Sequence, residues 1–323
     1  MLFATFALAT GRLVPAAEPV EALRAEIERL AAPLGGSVGV AAWRLDGKGP
    51  RLAVNANLPF PMASTFKVAV AGAVFARIDD GEVTLDQMVA IDPERYVESE
   101  VIADSFIHPG VSLSVHNLLE LMLTRSDNTA TDILVGLVGG PEAITAWVRS
   151  QGVEGLRVDR DTAGIVRDFF ELPPGILREV VVEVSARDPG FWARASMPNP
   201  EFDDDPRDTS TPVAMGVLLH RIFSGKALQP DSTRELDAMM RRNRTGDARI
   251  RARLPEGTTV ADKTGTIGGS VNDVGVITLP EDSGQILLTV FIKESASPVA
   301  ERETVIADIA RLVYDAYLID APD

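Results

Sequence analysis

Strand-like apolar runs stand at both ends of this chain, and helical patterns fill the space between them. Near the C-terminus, "TVADKTG", "VNDVGVITLP" and "QILLTVFIK" are short runs rich in β-branched residues. Near the N-terminus, "SVGVAAWRLDGKGPRLAVNAN" reads as a hairpin turning at Asp46-Gly47-Lys48-Gly49. Between them lie "SLSVHNLLELMLTRS", "NTATDILVGLVGG" and "GPEAITAWVRSQG", which carry helical spacing. The chain must therefore bring its two ends together in one antiparallel sheet and set the middle aside as a helical body. The fold class expected is α+β: an antiparallel sheet flanked by helices, packed on an all-helical domain.

The same pass sets boundaries. "EPVEALRAEIERLAAPLGG" reads as an amphipathic helix stopped by Gly35-Gly36, and "SPVAERETVIADIARLVYDAYL" as a last helix packing on the sheet. Residues 18–58 and 225–323 are assigned to the sheet-and-helix domain, and 59–224 to the helical domain. Residues 157–208 hold six of the prolines and many acids and are expected to be irregular. Residues 1–17 hold an apolar stretch at 2–9 and the small-residue site "VPAA". That is the outline of a secretory signal without its basic start, or of a disordered tail.

Composition removes whole classes of function. The 323 residues carry a net charge of −16, a surface that repels a nucleic-acid backbone or anionic lipid. The absence of cysteine excludes thiol catalysis, disulfides and thiolate metal sites. The three histidines, His108, His116 and His220, lack metal-ligand spacing.

One tetrapeptide raises the chemical question. Ser64-Thr65-Phe66-Lys67 opens an apolar run expected to be a buried helix from Ser64 to Ile78. Read alone, it is either a helix N-cap followed by an ordinary lysine, or a nucleophile with its base. Two further motifs bear on the choice: Ser126-Asp127-Asn128, at a junction of two helices, and Lys263-Thr264-Gly265, on a strand. Positions three apart share a helix face, so Lys67 can set its amine beside the Ser64 hydroxyl. The positive end of a helix dipole favours a developing alkoxide there. Ser126 can pass a proton to a leaving nitrogen, Asn128 can hold an amide, and Lys263 offers a cation to a carboxylate. The backbone N–H groups of Ser64 and Thr266 can make an oxyanion hole.

These three motifs, in this order, resemble the class A serine β-lactamases within the penicillin-recognising serine hydrolases. The likeness extends through "GGPEAITAWVRSQG", "RVDRD", "PRDTSTP" and "NRTGDARIRARLPEGTTVADKTGT", over most of residues 18–320. It implies a serine hydrolase that opens a β-lactam ring through an acyl-Ser64 intermediate. Ser64 is then the nucleophile, Lys67 the base or proton partner and Ser126 the proton relay. Asn128, Lys263, Thr264 and Thr266 bind substrate. No metal or organic cofactor is implied. The partner is a small β-lactam or peptidoglycan-like molecule, with no nucleic acid and no membrane span. The resemblance further implies a monomer, in the periplasm or secreted. A D-Ala-D-Ala peptidase, an esterase and a slowly deacylating penicillin receptor remain alternatives.

The departure from the family lies in one loop. Relatives carry Glu-x-x-Leu-Asn there, with the glutamate two residues after an arginine that pairs with a later aspartate. The arginine aligns with Arg160 and its partner with Asp208, so the glutamate position falls on Thr162. The loop is expanded, from 161 to 208. Asp161, Asp168 or Glu171 is then the candidate for activating the deacylating water, with Asp161 nearest the aligned position; otherwise no such base remains. Arg249 and Arg251 could stand in for a missing substrate-binding arginine or be structural, and Tyr96 could rim the cleft or simply pack.

Overall fold

The computed structural model describes residues 17–99, 101–106 and 108–319. The leader or tail expected at 1–17 lies, but for Ala17, outside the described residues. In chain order the main elements are α1 (Ala17–Ala31), β1 (Ser37–Arg44), β2 (Leu52–Val54), α2 (Lys67–Asp79), α3 (Val115–Thr124) and α4 (Asn128–Leu137). There follow α5 (Pro141–Ser150), α6 (Thr162–Phe169), α7 (Leu177–Arg187), α8 (Pro212–Phe223) and α9 (Pro230–Arg241). The chain closes with β3 (Val260–Ile267), β4 (Ser270–Thr278), β5 (Gln285–Lys293) and α10 (Val299–Ile319).

The two ends of the chain do meet in one sheet, ordered β2-β1-β5-β4-β3 and antiparallel throughout. Val40 of β1 faces Val290 of β5, which in turn faces Asp273 of β4. Both faces are covered, which is why the strands are buried almost end to end. Val40, Ala42, Leu288 and Val290 pack towards α1 and α10 with Ile27, Ile306 and Val313. The alternate residues Ala41, Trp43 and Leu287 meet Val213 and Val217 of α8. Side chains one apart on a strand point to opposite faces, so a single strand serves both cores.

The helical body is organised around α2, whose residues from Lys67 to Phe75 are all buried. A helix apolar on every side belongs inside a bundle, and α3, α4, α5 and α9 surround this one. Its start differs from the expectation. Ser64 does not cap it; a 3-10 turn, Ala63–Phe66, runs directly into α2, with no side-chain cap.

Residues 157–208 are not irregular. Asp161 caps α6 by accepting from Gly164 N, and the amphipathic spacing turns Ile165 and Phe169 inward. Leu172, Leu177, Val180, Val181 and Phe191 then build a small core of their own with Val97. The prolines punctuate these helices instead of preventing them. Pro200 sits in the first turn of a short helix, where its missing N–H costs nothing, and Pro173-Pro174 joins α6 to α7. The insert is also pinned at its far end. Gly268 N donates to Ala195 O at 2.9 Å, and the buried Arg302 donates to Gly268 O and Ser196 O, each at 3.0 Å. The base of the loop closes as the sequence suggested: Arg160 Nε donates to Asp208 Oδ2 at 2.6 Å.

Candidate active site

Ser64, Ser126, Asn128, Thr264 and Thr266 line one cleft of about 280 Å³ between the sheet edge and the helical body. They arrive from four places, a 3-10 turn, the junction of α3 and α4, the start of α4 and strand β3, each for a local reason. The 3-10 turn that carries Ser64 lies against β3, where an added Cβ on Gly265 would stand 2.6 Å from Met62 O and 3.0 Å from Ser64 N. Only glycine allows that approach. Asn272 on β4 fixes the same turn by donating to Pro61 O and Met62 O, at 2.9 and 3.0 Å.

The Ser126 turn is held by Asp127. Its Oδ1 accepts from Ala130 N, capping α4, and its Oδ2 accepts from Ser99 Oγ and Ile102 N, both at 2.9 Å. Ser126 itself takes a left-handed backbone, φ 57°, at the junction of α3 and α4. That conformation is uncommon for a residue with a side chain. It sits where two lysines converge.

The lysines and Ser126 form one connected chain. Lys67 Nζ donates to Ser126 O at 2.6 Å, Ser126 Oγ at 3.3 Å and Asn128 Oδ1 at 2.8 Å. Lys263 Nζ donates to the same Ser126 Oγ at 3.0 Å and to Thr264 O at 2.8 Å. Both lysines are fully buried. Burial lowers Lys67 to about 7, against the opposing pull of Asp127 and Asp132. Burial, and then the Lys67 charge, push Lys263 well below the usual lysine range. Thus a neutral Lys67 amine can accept a proton while Ser126 Oγ stands between two nitrogens able to exchange one.

The β3 end of the cleft is equally built. Thr245 and Thr264 share a hydrogen bond between their hydroxyls. Arg249 lines the cleft and donates to Thr266 Oγ1 at 2.6 Å and to Gly265 O and Asn272 O. Arg251 instead pairs with Asp262 beneath Lys263 and plays a structural part. Tyr96 is buried and donates to Phe106 O at 2.7 Å.

The other side of Ser64 differs. A second cavity, of about 80 Å³, is lined there by Phe66, Asn128, Thr162, Ile165, Val166 and Thr266, among others. Among the described residues no carboxylate lines it. Asp161 caps α6 and lines another cavity together with Asp132. Asp168 pairs with Arg160 and Arg207, and Glu171 lines a polar cavity among Arg167, Asn199 and Arg207. The structure does not bring any of these three acids to Ser64. One reason is that α6 begins at Thr162, so Asp161 is spent on its cap. The sequence reading passed over Asp132, whose buried carboxylate accepts from Thr162 N and Ala163 N at 2.7 and 2.9 Å. Its position one helical turn after Asn128 was the available signal.

A family model described as the beta-lactamase enzyme family matches residues 22–317. The chain belongs to that family. Its relatives include the β-lactamases CTX-M-97 and Toho-1 of Escherichia coli, each 30% identical over 289 residues, 89% of this chain and 87% of theirs. Among solved structures, an ancestral class A β-lactamase matches with TM-score 0.75 at 35% identity, covering 91% of this chain and 99% of that one. A β-lactamase from Xanthomonas campestris matches with TM-score 0.76 at 31% identity, covering 92% and 98%. Family and fold therefore agree with the class A resemblance carried by the three motifs, and the chain is a serine β-lactamase-like hydrolase.

Proposed function

We propose that this protein opens β-lactam rings through an acyl-enzyme on Ser64. The observation that carries the reading is the hydrogen-bonded chain from the buried Lys67 through Ser126 to the buried Lys263, behind the cleft holding Ser64. Neutral Lys67 takes the Ser64 hydroxyl proton as the oxygen attacks the lactam carbonyl carbon. The Ser64 and Thr266 N–H groups receive the oxyanion. The ring C–N bond then breaks, and Ser126 delivers a proton to the leaving nitrogen, drawing on the proton that Lys67 took from Ser64. Asn128 holds the substrate amide, and Lys263 with Thr264 the substrate carboxylate. Arg249 adds positive charge behind Thr266. The cleft is completed by one chain, which supports a monomer. The apolar stretch at 2–9 followed by "VPAA" supports an exported protein, and among the described residues no helix is long and apolar enough to cross a membrane.

The missing glutamate favours a second reading, in which the acyl-enzyme forms and hydrolyses slowly, as in a penicillin receptor. Turnover of a penicillin and a chromogenic cephalosporin, measured beside a D-Ala-D-Ala peptide and a simple ester, separates the readings. Lactam hydrolysis far above peptide or ester hydrolysis supports the lactamase. A stoichiometric burst without turnover supports the receptor, and turnover of the peptide or ester alone would refute the lactamase reading.

A further inference from the structure

Among the described residues the cavity beside Ser64 has no carboxylate in its wall, yet one lies directly behind the wall. Asp132 on α4 is 3% exposed, and both its oxygens accept from the first turn of α6. Between that carboxylate and the cavity stands Thr162. Its hydroxyl is buried and has no aligned hydrogen-bond partner, although it lies near enough to Asp132 to favour the charged carboxylate. A buried hydroxyl left unpaired is costly, so its persistence here needs a reason. A cavity of about 80 Å³ exceeds the space of one water. Ser64, Asn128 and Thr162 line it together.

We propose that Thr162 and Asp132 form the proton relay for deacylation, replacing the absent glutamate. The inference rests on the acyl-Ser64 reading. The cavity water attacks the acyl carbon, giving one proton to Thr162 Oγ1, while the Thr162 proton passes to the Asp132 carboxylate. The tetrahedral intermediate collapses by breaking the bond between the acyl carbon and Ser64 Oγ, which takes a proton from Lys67 Nζ as Lys67 receives the Asp132 proton through Thr162 and a second water. The product leaves as a carboxylic acid and ionises in solvent. Asp132 is then charged and Lys67 neutral again, which restores the enzyme. Thr162 touches the reacting water; Asp132 acts through it.

The electrostatic setting of Asp132 is specific. Lys67 on α2 stabilises its charge, Asp161 at the start of α6 opposes it, and Arg95 donates to its backbone oxygen. Asp92, Glu94 and Arg167 share the cavity on its far side. Burial first, and then Asp161, raise it to about 7.

The test follows the decay of a penicillin adduct by intact-mass spectrometry of the full chain, in wild type, Thr162→Ser, Thr162→Val and Asp132→Asn. Wild type and Thr162→Ser should clear the adduct within threefold of one another, and Thr162→Val at least tenfold more slowly. Wild-type decay should speed up as pH rises through about 7, where Asp132 loses its proton, and Asp132→Asn should lose that rise. Thr162→Val decaying at the wild-type rate overturns the relay. So does a pH rise retained in Asp132→Asn, which would assign the base to Lys67. A wild-type adduct that never decays overturns the relay and leaves a receptor. A wild type with no Ser64 adduct refutes the acyl-enzyme reading itself, and the relay with it.

Discussion

On one side of Ser64, Lys67, Ser126 and Lys263 are joined by hydrogen bonds and braced from both the helical body and the sheet. On the other, Thr162, Ile165 and Val166 present a single unpaired hydroxyl and two hydrocarbon side chains. The first side gathers, in one cleft and just behind it, the residues that the proposed acylation uses. The second lacks the carboxylate its relatives' motif supplies, and the segment that should carry it has become the first helix of an insert. The contrast teaches that acylation and deacylation are separable in structure: one wall can be rebuilt while the other is kept.

Substitutions break this comparison to different degrees. Ser64→Ala removes the nucleophile and should abolish the covalent adduct, with turnover falling on the order of 10³-fold or more; adduct formation in that variant would overturn the assignment. Lys67→Gln keeps hydrogen-bonding capacity but cannot accept a proton, and stopped-flow acylation should slow on the order of 10²–10⁴-fold. Acylation in wild type should fall as pH drops through about 7, because burial holds Lys67 near that value and only the neutral amine is a base. The loss approaches tenfold per unit below it. A profile flat from pH 5 to 9 would exclude Lys67 as the base.

Smaller effects sharpen the contrast. Gly265→Ala forces a Cβ against Met62 O and Ser64 N, and thermal or urea unfolding should show a loss of about 1–3 kcal/mol. Acylation should suffer more than deacylation, since the displaced backbone carries Ser64. Asp161→Asn should be mildest. Asparagine caps a helix as well as aspartate does, so stability should barely change. Removing the Asp161 charge lowers Asp132, so the deacylation midpoint should move to lower pH. A large loss of deacylation at every pH would restore Asp161 as the base.

The first wall was legible in the sequence because short motifs wrote it. Ser64-x-x-Lys67, Ser126-Asp127-Asn128 and Lys263-Thr264-Gly265 lie far apart in the chain, and the fold brings them to one cleft. The sheet was legible for a related reason: β-branched runs at both ends had no other partner. The second wall was not. Prolines and acids made residues 157–208 look irregular, whereas the prolines fall in first turns and connections, and Leu177, Val180 and Phe191 supply a core of their own. Asp132 was hidden because a single aspartate inside an apolar helix carries no motif; only packing reveals that α6 begins against it. The helix expected from Ser64 begins at Lys67 instead, because a 3-10 turn and a first helical turn draw on the same residue types.

The most direct test is time-resolved intact-mass spectrometry with peptide mapping during incubation with a simple penicillin, product being followed in parallel. The account predicts a mass increase equal to the whole penicillin on the peptide containing Ser64, rising before product and then decaying as product accumulates. Product released with no adduct, or an adduct mapped to any other residue, would contradict it.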